Sequence, residues 1–259
     1  VRRACQLRPD RDVLVTRLLA PSISAHAVRA LSARSGQERE IAVLFADLRG
    51  FTRIAEKKLP YDVVFILNRY FEAVGSAVAE AGGLANQYTG DGVMALFGIE
   101  TDPGLACKQA LRAAAAMIGR VEELGRGLGQ ELASPLRIGI GIHAGPVVVG
   151  EMGYGETRYL TAVGDTVNTA SRLEGLTKEH DCELVVSQQV FARAGLDSAG
   201  YPGADLSLRN REATLRVLLV KDARRLAERI DALSSRSPDP GGPSSAADPA
   251  TQAAPPLRA

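Results

Sequence analysis

Two aspartates stand where a carboxylate could meet a metal ion. Asp47 closes the apolar run at 41–46, and Asp91 sits between two glycines in Thr89-Gly90-Asp91-Gly92. An apolar strand delivers its last residue to the edge of a sheet, and a glycine-flanked turn leaves backbone room for a ligand. Carboxylates on neighbouring strands could bridge two Mg²⁺ ions, hard cations that prefer oxygen and keep substrate phosphates in their shell. Two such ions stabilise both the attacking and the leaving oxygen of an in-line displacement. Structural roles compete, because Asp before Gly is common in turns and Asp at a strand end often caps a helix. After Asp47, Leu48-Arg49-Gly50-Phe51-Thr52 leads into a helix. Free N–H groups at a helix start can bind an anion beside the metals, and a plain helix start is the alternative.

The elements that must hold these residues follow from periodicity. A strand over 41–46 ends at Asp47. After Pro60, the residues Val63, Ile66, Leu67, Tyr70, Phe71, Val74, Ala77 and Val78 recur in steps of three and four, the helical period. Gly82-Gly83 stops that helix. Residues 84–88 and 93–97 read as a hairpin around the Asp91 turn. Asp102-Pro103 opens an Ala-rich helix that runs to the glycines between 125 and 129. Strands are expected at 136–143, 157–163, 183–187 and 215–220, and a helix at 166–176. This order predicts an α+β fold, an antiparallel sheet with helices packed on it.

Bulk composition excludes several classes. Hydrophobic residues make up 46% of the 259 and charged ones 24%, as in an ordinary globular protein. A formal net charge of +1 predicts no general attraction to nucleic acid or membrane, so an anionic ligand must be held locally. Nucleic-acid binding also lacks a basic, aromatic-rich patch. Cys5, Cys107 and Cys182 lie far apart and make no disulfide framework, which fits a reducing cytosol. No apolar run approaches the roughly 20 residues of a membrane span, and no signal-peptide core is present. A soluble, cytoplasmic chain is the expectation. From about Ser235 onward, Pro, Ser, Gly and Ala dominate, and that tail is expected to be disordered.

FADLRGFT (45–52), TGDGVMALFG (89–98) and VGDTVNTASRLE (163–174) occur in that order. Together they resemble the catalytic domain of class III adenylate and guanylate cyclases, over about 38 to 220. The resemblance implies a ferredoxin-like antiparallel sheet and conversion of ATP to cyclic AMP. It implies that Asp47 and Asp91, with the backbone carbonyl of Leu48, hold two Mg²⁺ (or Mn²⁺) ions beside Gly50, Phe51 and Thr52. Asn168 and Arg172 match the family's transition-state pair, the asparagine orienting the ribose and the arginine neutralising charge on the phosphate. A guanidinium suits that task because it offers phosphate a planar donor fork; a salt bridge to Glu174 is the structural alternative. Arg209 and Arg211 are candidates for a further phosphate contact, Arg211 being preferred.

The family's base readers fall on Gln87 and Thr161. Gln87 stands where a lysine is usual, four residues before Asp91, and its amide has donor and acceptor faces that could suit either purine. Thr161 is familiar among bacterial adenylate cyclases. Family members split the metal aspartates and the Asn/Arg pair between two subunits, so a head-to-tail homodimer is implied. His26, His143 and His180 have no metal-ligand spacing and read as structural or surface residues.

VRRACQLRPDRDVLV at 1–15 resembles the end of a [2Fe–2S] ferredoxin domain, with Cys5 in the place of the fourth cluster ligand. Such a cluster takes four cysteines, so this expectation needs three more upstream; an unrelated strand with one free cysteine is the alternative. The expected organisation is a ferredoxin remnant over 1–20, a linker helix over 21–37, the cyclase domain over 38–221, a helix over 222–234 and the tail. Competing functions are a guanylate cyclase, a degenerate nucleotide-binding regulatory module, and a palm-type nucleotidyl transferase with the same two-carboxylate logic. The VNTASR helix argues against the last.

Overall fold

A computed structural model describes residues 36–129, 132, 135–154, 157–207 and 214–234. The expectations at Cys5, over 1–20, for all but the last two residues of a linker helix over 21–37, at Arg209 and Arg211, and for a disordered tail from 235 fall outside these residues; Gln37, expected to end that helix, belongs to a strand.

Among the described residues eight strands form one sheet: β1 (Gln37–Leu48), β2 (Leu84–Thr89), β3 (Gly92–Phe97), β4 (Ile138–Tyr154), β5 (Thr157–Val163), β6 (Leu184–Ser187), β7 (Gly203–Ser207) and β8 (Thr214–Val220). Their order is β2-β3-β1-β4-β6-β8-β7, with β5 paired to the far half of β4. All neighbours are antiparallel except β4 and β6, so the sheet is mixed rather than wholly antiparallel. Among the described residues six helices accompany it: α1 (Phe51–Lys57), α2 (Pro60–Glu80), α3 (Pro103–Leu128), α4 (Asp165–Glu179), α5 (Gln188–Ala194) and α6 (Arg224–Ser234).

Alternation along β1 assigns the two faces. Ala42, Leu44, Ala46 and Leu48 point into the main core, with Ile66, Tyr70 and Val74 of α2 and Ala110, Leu111 and Met117 of α3. Ile41 and Val43 point the other way, against Val167 and Ala170 of α4. Helix caps fix where the covering helices begin and end. Asp102 accepts hydrogen bonds from the N–H groups of Gly104 (2.9 Å) and Leu105 (3.0 Å), and Pro103 follows at the first helical position. At the end of α2, Gly82 takes φ +82° while its N–H reaches the Ala79 carbonyl and the Gly83 N–H that of Val78. This pair of bonds closes the last turn, and only glycine adopts that φ without strain.

β4 carries both faces in its plainest form. Ile138, Ile140, Ile142 and Ala144 enter the main core, whereas Gly139, Gly141 and Gly145 lie on the α4 side. A Cβ on Gly141 would stand 2.1 Å from the Glu174 nitrogen and 2.5 Å from the Ala170 carbonyl oxygen. One on Gly145 would lie 2.8 Å from Thr166 Oγ1. The missing side chains let α4 lie with its backbone directly on the strand.

Candidate active site

Asp47 belongs by alternation to the face of β1 that α4 covers. It pairs with Gly92 on one side and Gly139 on the other, so its carboxylate has no bulky neighbour in either strand. Asp91 immediately precedes Gly92 in the two-residue turn between β2 and β3, where Gly90 takes φ +64°. The register of β1 with β3 therefore makes the two aspartates neighbours, both half-buried.

Three charged residues outside the expected set complete the surroundings. Lys178 Nζ lies 3.0 Å from Asp47 Oδ2. Glu174, one turn earlier on α4, has Oε1 buried, without a hydrogen-bond partner among the described residues, and 3.3 Å from where a Gly139 Cβ would be. Arg49 donates to the carbonyls of Thr177 (2.8 Å) and Cys182 and forms an ion pair with Asp181 at 3.5 Å. Its own N–H reaches the Arg137 carbonyl at 2.8 Å. Arg49 thus ties the loop after Asp47 to the C-terminal end of α4, where unpaired carbonyls favour a cation.

The electrostatics are those of clustered acids in a partly dry place. Burial and then the charge of Asp47 push the Asp91 carboxyl up, and the same two causes raise Glu174. The Tyr70 phenol beneath them is raised by burial, then by Asp47 and Asp91. Lys178 is raised chiefly by its hydrogen bond to Asp47. A site that raises its carboxyls and draws in an ammonium is one that favours cations. Asp47 and Asp91 offer hard oxygen donors suited to Mg²⁺ or Mn²⁺. Among the described residues no three His, Cys, Asp or Glu side chains group to hold an ion. Phosphate oxygens, backbone and water would therefore complete any shell on this pair.

The remaining expected residues divide into three places. Leu48 is buried, so it can serve only through its main chain, and Phe51, 9% exposed, is part of the core. Gly50, at φ +71°, precedes α1, and the N–H groups of Phe51 and Thr52 have no partner within that helix by the geometry of a helix start. Gln87 and Thr161 meet across β2 and β5: Gln87 Nε2 is 3.5 Å from Thr161 Oγ1 and 3.3 Å from Tyr159 Oη. Asn86 joins them, accepting from the Thr161 hydroxyl at 2.7 Å.

Asn168 and Arg172 are exposed and do not join the aspartates. Lys178 is the α4 residue that reaches Asp47, and Asn168 precedes it by ten residues, roughly 15 Å along a helix axis at 1.5 Å per residue. Arg172 donates to the Ser207 carbonyl at 3.4 Å, at the end of β7. His143 is buried beside Gln189, whose Nε2 is 3.3 Å from His143 Nδ1.

The chain is similar in sequence and fold to known proteins. Residues 33–199 match the model of the adenylate and guanylate cyclase catalytic domain. The chain is 35% identical over 172 residues to an adenylate cyclase of Anabaena cylindrica, covering 65% of this chain and 33% of that protein. It is 34% identical over 160 residues to adenylate cyclase 1 of Rhizobium meliloti (strain 1021), covering 62% of this chain and 24% of that one. The chain thus spans a third or less of either relative. Among solved structures, the guanylyl cyclase Cya2 superposes with a TM-score of 0.65 at 29% identity, over 72% of this chain and 93% of that one. The adenylyl cyclase CyaB from P. aeruginosa gives 0.63 at 25% identity, over 73% and 97%.

Proposed function

Because the chain belongs to the class III adenylate and guanylate cyclase catalytic-domain family, we propose that it converts ATP to 3′,5′-cyclic AMP and pyrophosphate at a homodimer interface. One observation carries the two-subunit reading. Asp47 and Asp91 adjoin across β1 and β3, while Asn168 and Arg172 of the same chain face outward on α4. A single chain therefore holds two half-sites, and a second copy placed head to tail would complete each. No helix among the described residues is long and apolar enough to cross a membrane.

Two Mg²⁺ or Mn²⁺ ions on Asp47, Asp91 and the Leu48 carbonyl would neutralise phosphate charge and ease ionisation of the ribose 3′-hydroxyl. Gln87 and Thr161 grip the purine edge. The N–H groups of Gly50, Phe51 and Thr52, with Arg211, cradle phosphate oxygens. Asn168 of the partner subunit orients the ribose, and Arg172 of the partner subunit takes up charge on the α-phosphate. The 3′-oxygen bonds to the α-phosphorus as the bond to the α,β-bridging oxygen breaks. Pyrophosphate leaves with that electron pair, and the hydroxyl proton passes to solvent. Positioning and charge stabilisation carry the rate, with no covalent enzyme intermediate. In a longer protein, Cys5 and three upstream cysteines would make the cyclase redox-regulated, which the upstream reading frame tests.

Purified chain is incubated with ATP or GTP and Mg²⁺ or Mn²⁺, and both cyclic nucleotides are quantified. Cyclic AMP that disappears in Asp47→Ala is the expected result. Mixing the inactive variants Asp47→Ala and Arg172→Ala should restore about a quarter of wild-type activity, since half the dimers are mixed and each has one intact site. No recovery from verified heterodimers would remove the shared site, and cyclic GMP alone would reassign the substrate.

A further inference from the structure

The strand that carries Gln87 is irregular at one position. β2 and β3 pair as Ala85 with Ala95 and Gln87 with Met94, leaving Asn86 as an extra residue in a bulge. Bulges re-aim side chains that alternation would send to opposite faces. Here Asn86 and Gln87, though consecutive, both reach β5.

The hydrogen bonds of Asn86 and Thr161 leave those two side chains no freedom of direction. Asn86 Nδ2 donates to the Leu160 carbonyl. A main-chain carbonyl can only accept, so the Asn86 amide must present nitrogen to Leu160 and Oδ1 to Thr161. Oδ1 also only accepts, so the Thr161 hydroxyl spends its one proton on Asn86, at 2.7 Å. Toward anything else Thr161 Oγ1 is an acceptor. Gln87 turns Nε2 toward it, at 3.5 Å, and toward Tyr159 Oη, at 3.3 Å. Both contacts are long and can yield to a shorter bond with a ligand.

We infer that Asn86 is a specificity-determining positioning residue: anchored on the Leu160 carbonyl, it sets Thr161 as an acceptor and Gln87 as a donor, which selects adenine. Adenine presents an acceptor at N1 beside a donor at the 6-amino group, the complement of that pair. A 6-oxopurine presents N1–H beside a carbonyl and would set donor against donor and acceptor against acceptor. Against the acceptor that this chain of bonds makes of Thr161, a glutamine amide that could turn either face to the base is biased toward its donor face. This inference rests on the cyclase reading for its ligand and deepens it by naming the base.

The test compares ATP with ITP, which carry the amino and the oxo group at position 6. Wild-type chain should favour ATP in kcat/KM. Asn86→Leu, close in size but unable to accept, frees the Thr161 hydroxyl to donate, and should lower the ATP-to-ITP ratio at least about tenfold. Thr161→Val, which keeps the shape and removes the acceptor, should move the ratio the same way and serves if Asn86→Leu does not fold. An unchanged ratio, or ATP and ITP falling in equal proportion as mere structural damage would give, overturns the inference; so does a wild type that prefers ITP. The same ratios are read from competition of ATP and ITP against a fluorescent ATP analogue at equilibrium. If no cyclic product forms, the cyclase reading fails while the binding ratio still decides the role of Asn86.

Discussion

The two faces of β4 use opposite means to hold helices, and the difference separates fold from site. On one face Ile138, Ile140 and Ile142 fill the space under α3 with side chains. On the other, Gly139, Gly141 and Gly145 leave no side chain, and α4 rests on the strand backbone. The first contact is an ordinary core, whose parts can be exchanged at the cost of packing. The second sets a distance. It brings Glu174 and Lys178 to Asp47 while turning Asn168 and Arg172 to the outside.

The sharpest way to break this comparison is to add one methyl group to the glycine face. Gly141→Ala would press a Cβ onto the backbone of α4, which cannot move without carrying the whole helix. A loss of about 3 kcal/mol or more in denaturant unfolding is expected, with cyclase activity falling more steeply than the folded fraction. A Gly141→Ala protein with wild-type stability and activity would show that the close approach is not required.

Next in size is the tie at the end of α4. Arg49→Met keeps the apolar stem and removes the donors to the Thr177 and Cys182 carbonyls. The expected cost is about 2 kcal/mol, as for hydrogen bonds from a charged group, together with weaker metal activation as the loop after Asp47 loosens. On the isoleucine face, Ile140→Val should cost about 1 kcal/mol with kcat and KM unchanged. Measuring these two side by side tells whether the α4 face alone couples stability to activity.

The smallest effect expected is one of pH. Glu174 is raised above its ordinary value by burial and by Asp47, so its protonated form favours the fold. That contribution is present below the unfolded value and is lost as pH rises through the raised one. Glutamine mimics the neutral acid. Glu174→Gln should therefore raise Tm by about 1–3 °C at pH 8 and leave it unchanged near pH 4. An equal rise at both pH values would assign the effect to packing instead of charge.

Much of the scaffold is legible in the sequence because long elements announce their period. Of the eight apolar steps after Pro60, Ile66, Tyr70, Val74, Ala77 and Val78 are buried in α2, while Val63, Leu67 and Phe71 pack partly buried against the same core. Short or interrupted elements are less visible. α5 spans seven residues and β7 five, too few for a periodic signal. β4 runs on to Tyr154 through Gly145 and Pro146, residues that usually end a strand. Proline is tolerated there because Pro146 falls between the stretch of β4 that β6 pairs, 140–142, and the stretch that β5 pairs, from Val148.

At the site, chemistry-bearing types in fixed local frames could be read directly. Asp47 at a strand end, Asp91 in a glycine turn and Asn168 one helical turn before Arg172 are fixed by neighbours in the chain. Lys178, Glu174, Arg49 and Asn86 could not be read so, for each acts on a partner far away in sequence. Lys178 meets Asp47 only because the glycines of β4 admit α4, and Asn86 meets Thr161 only because β2 bulges and β5 folds back along β4. Local sequence determined which groups could bind a metal, a phosphate and a base, since periodicity and turn chemistry act over a few residues. Tertiary structure alone decided which of them share a site and which way their hydrogen bonds point, because close approach and strand register join residues the sequence keeps apart.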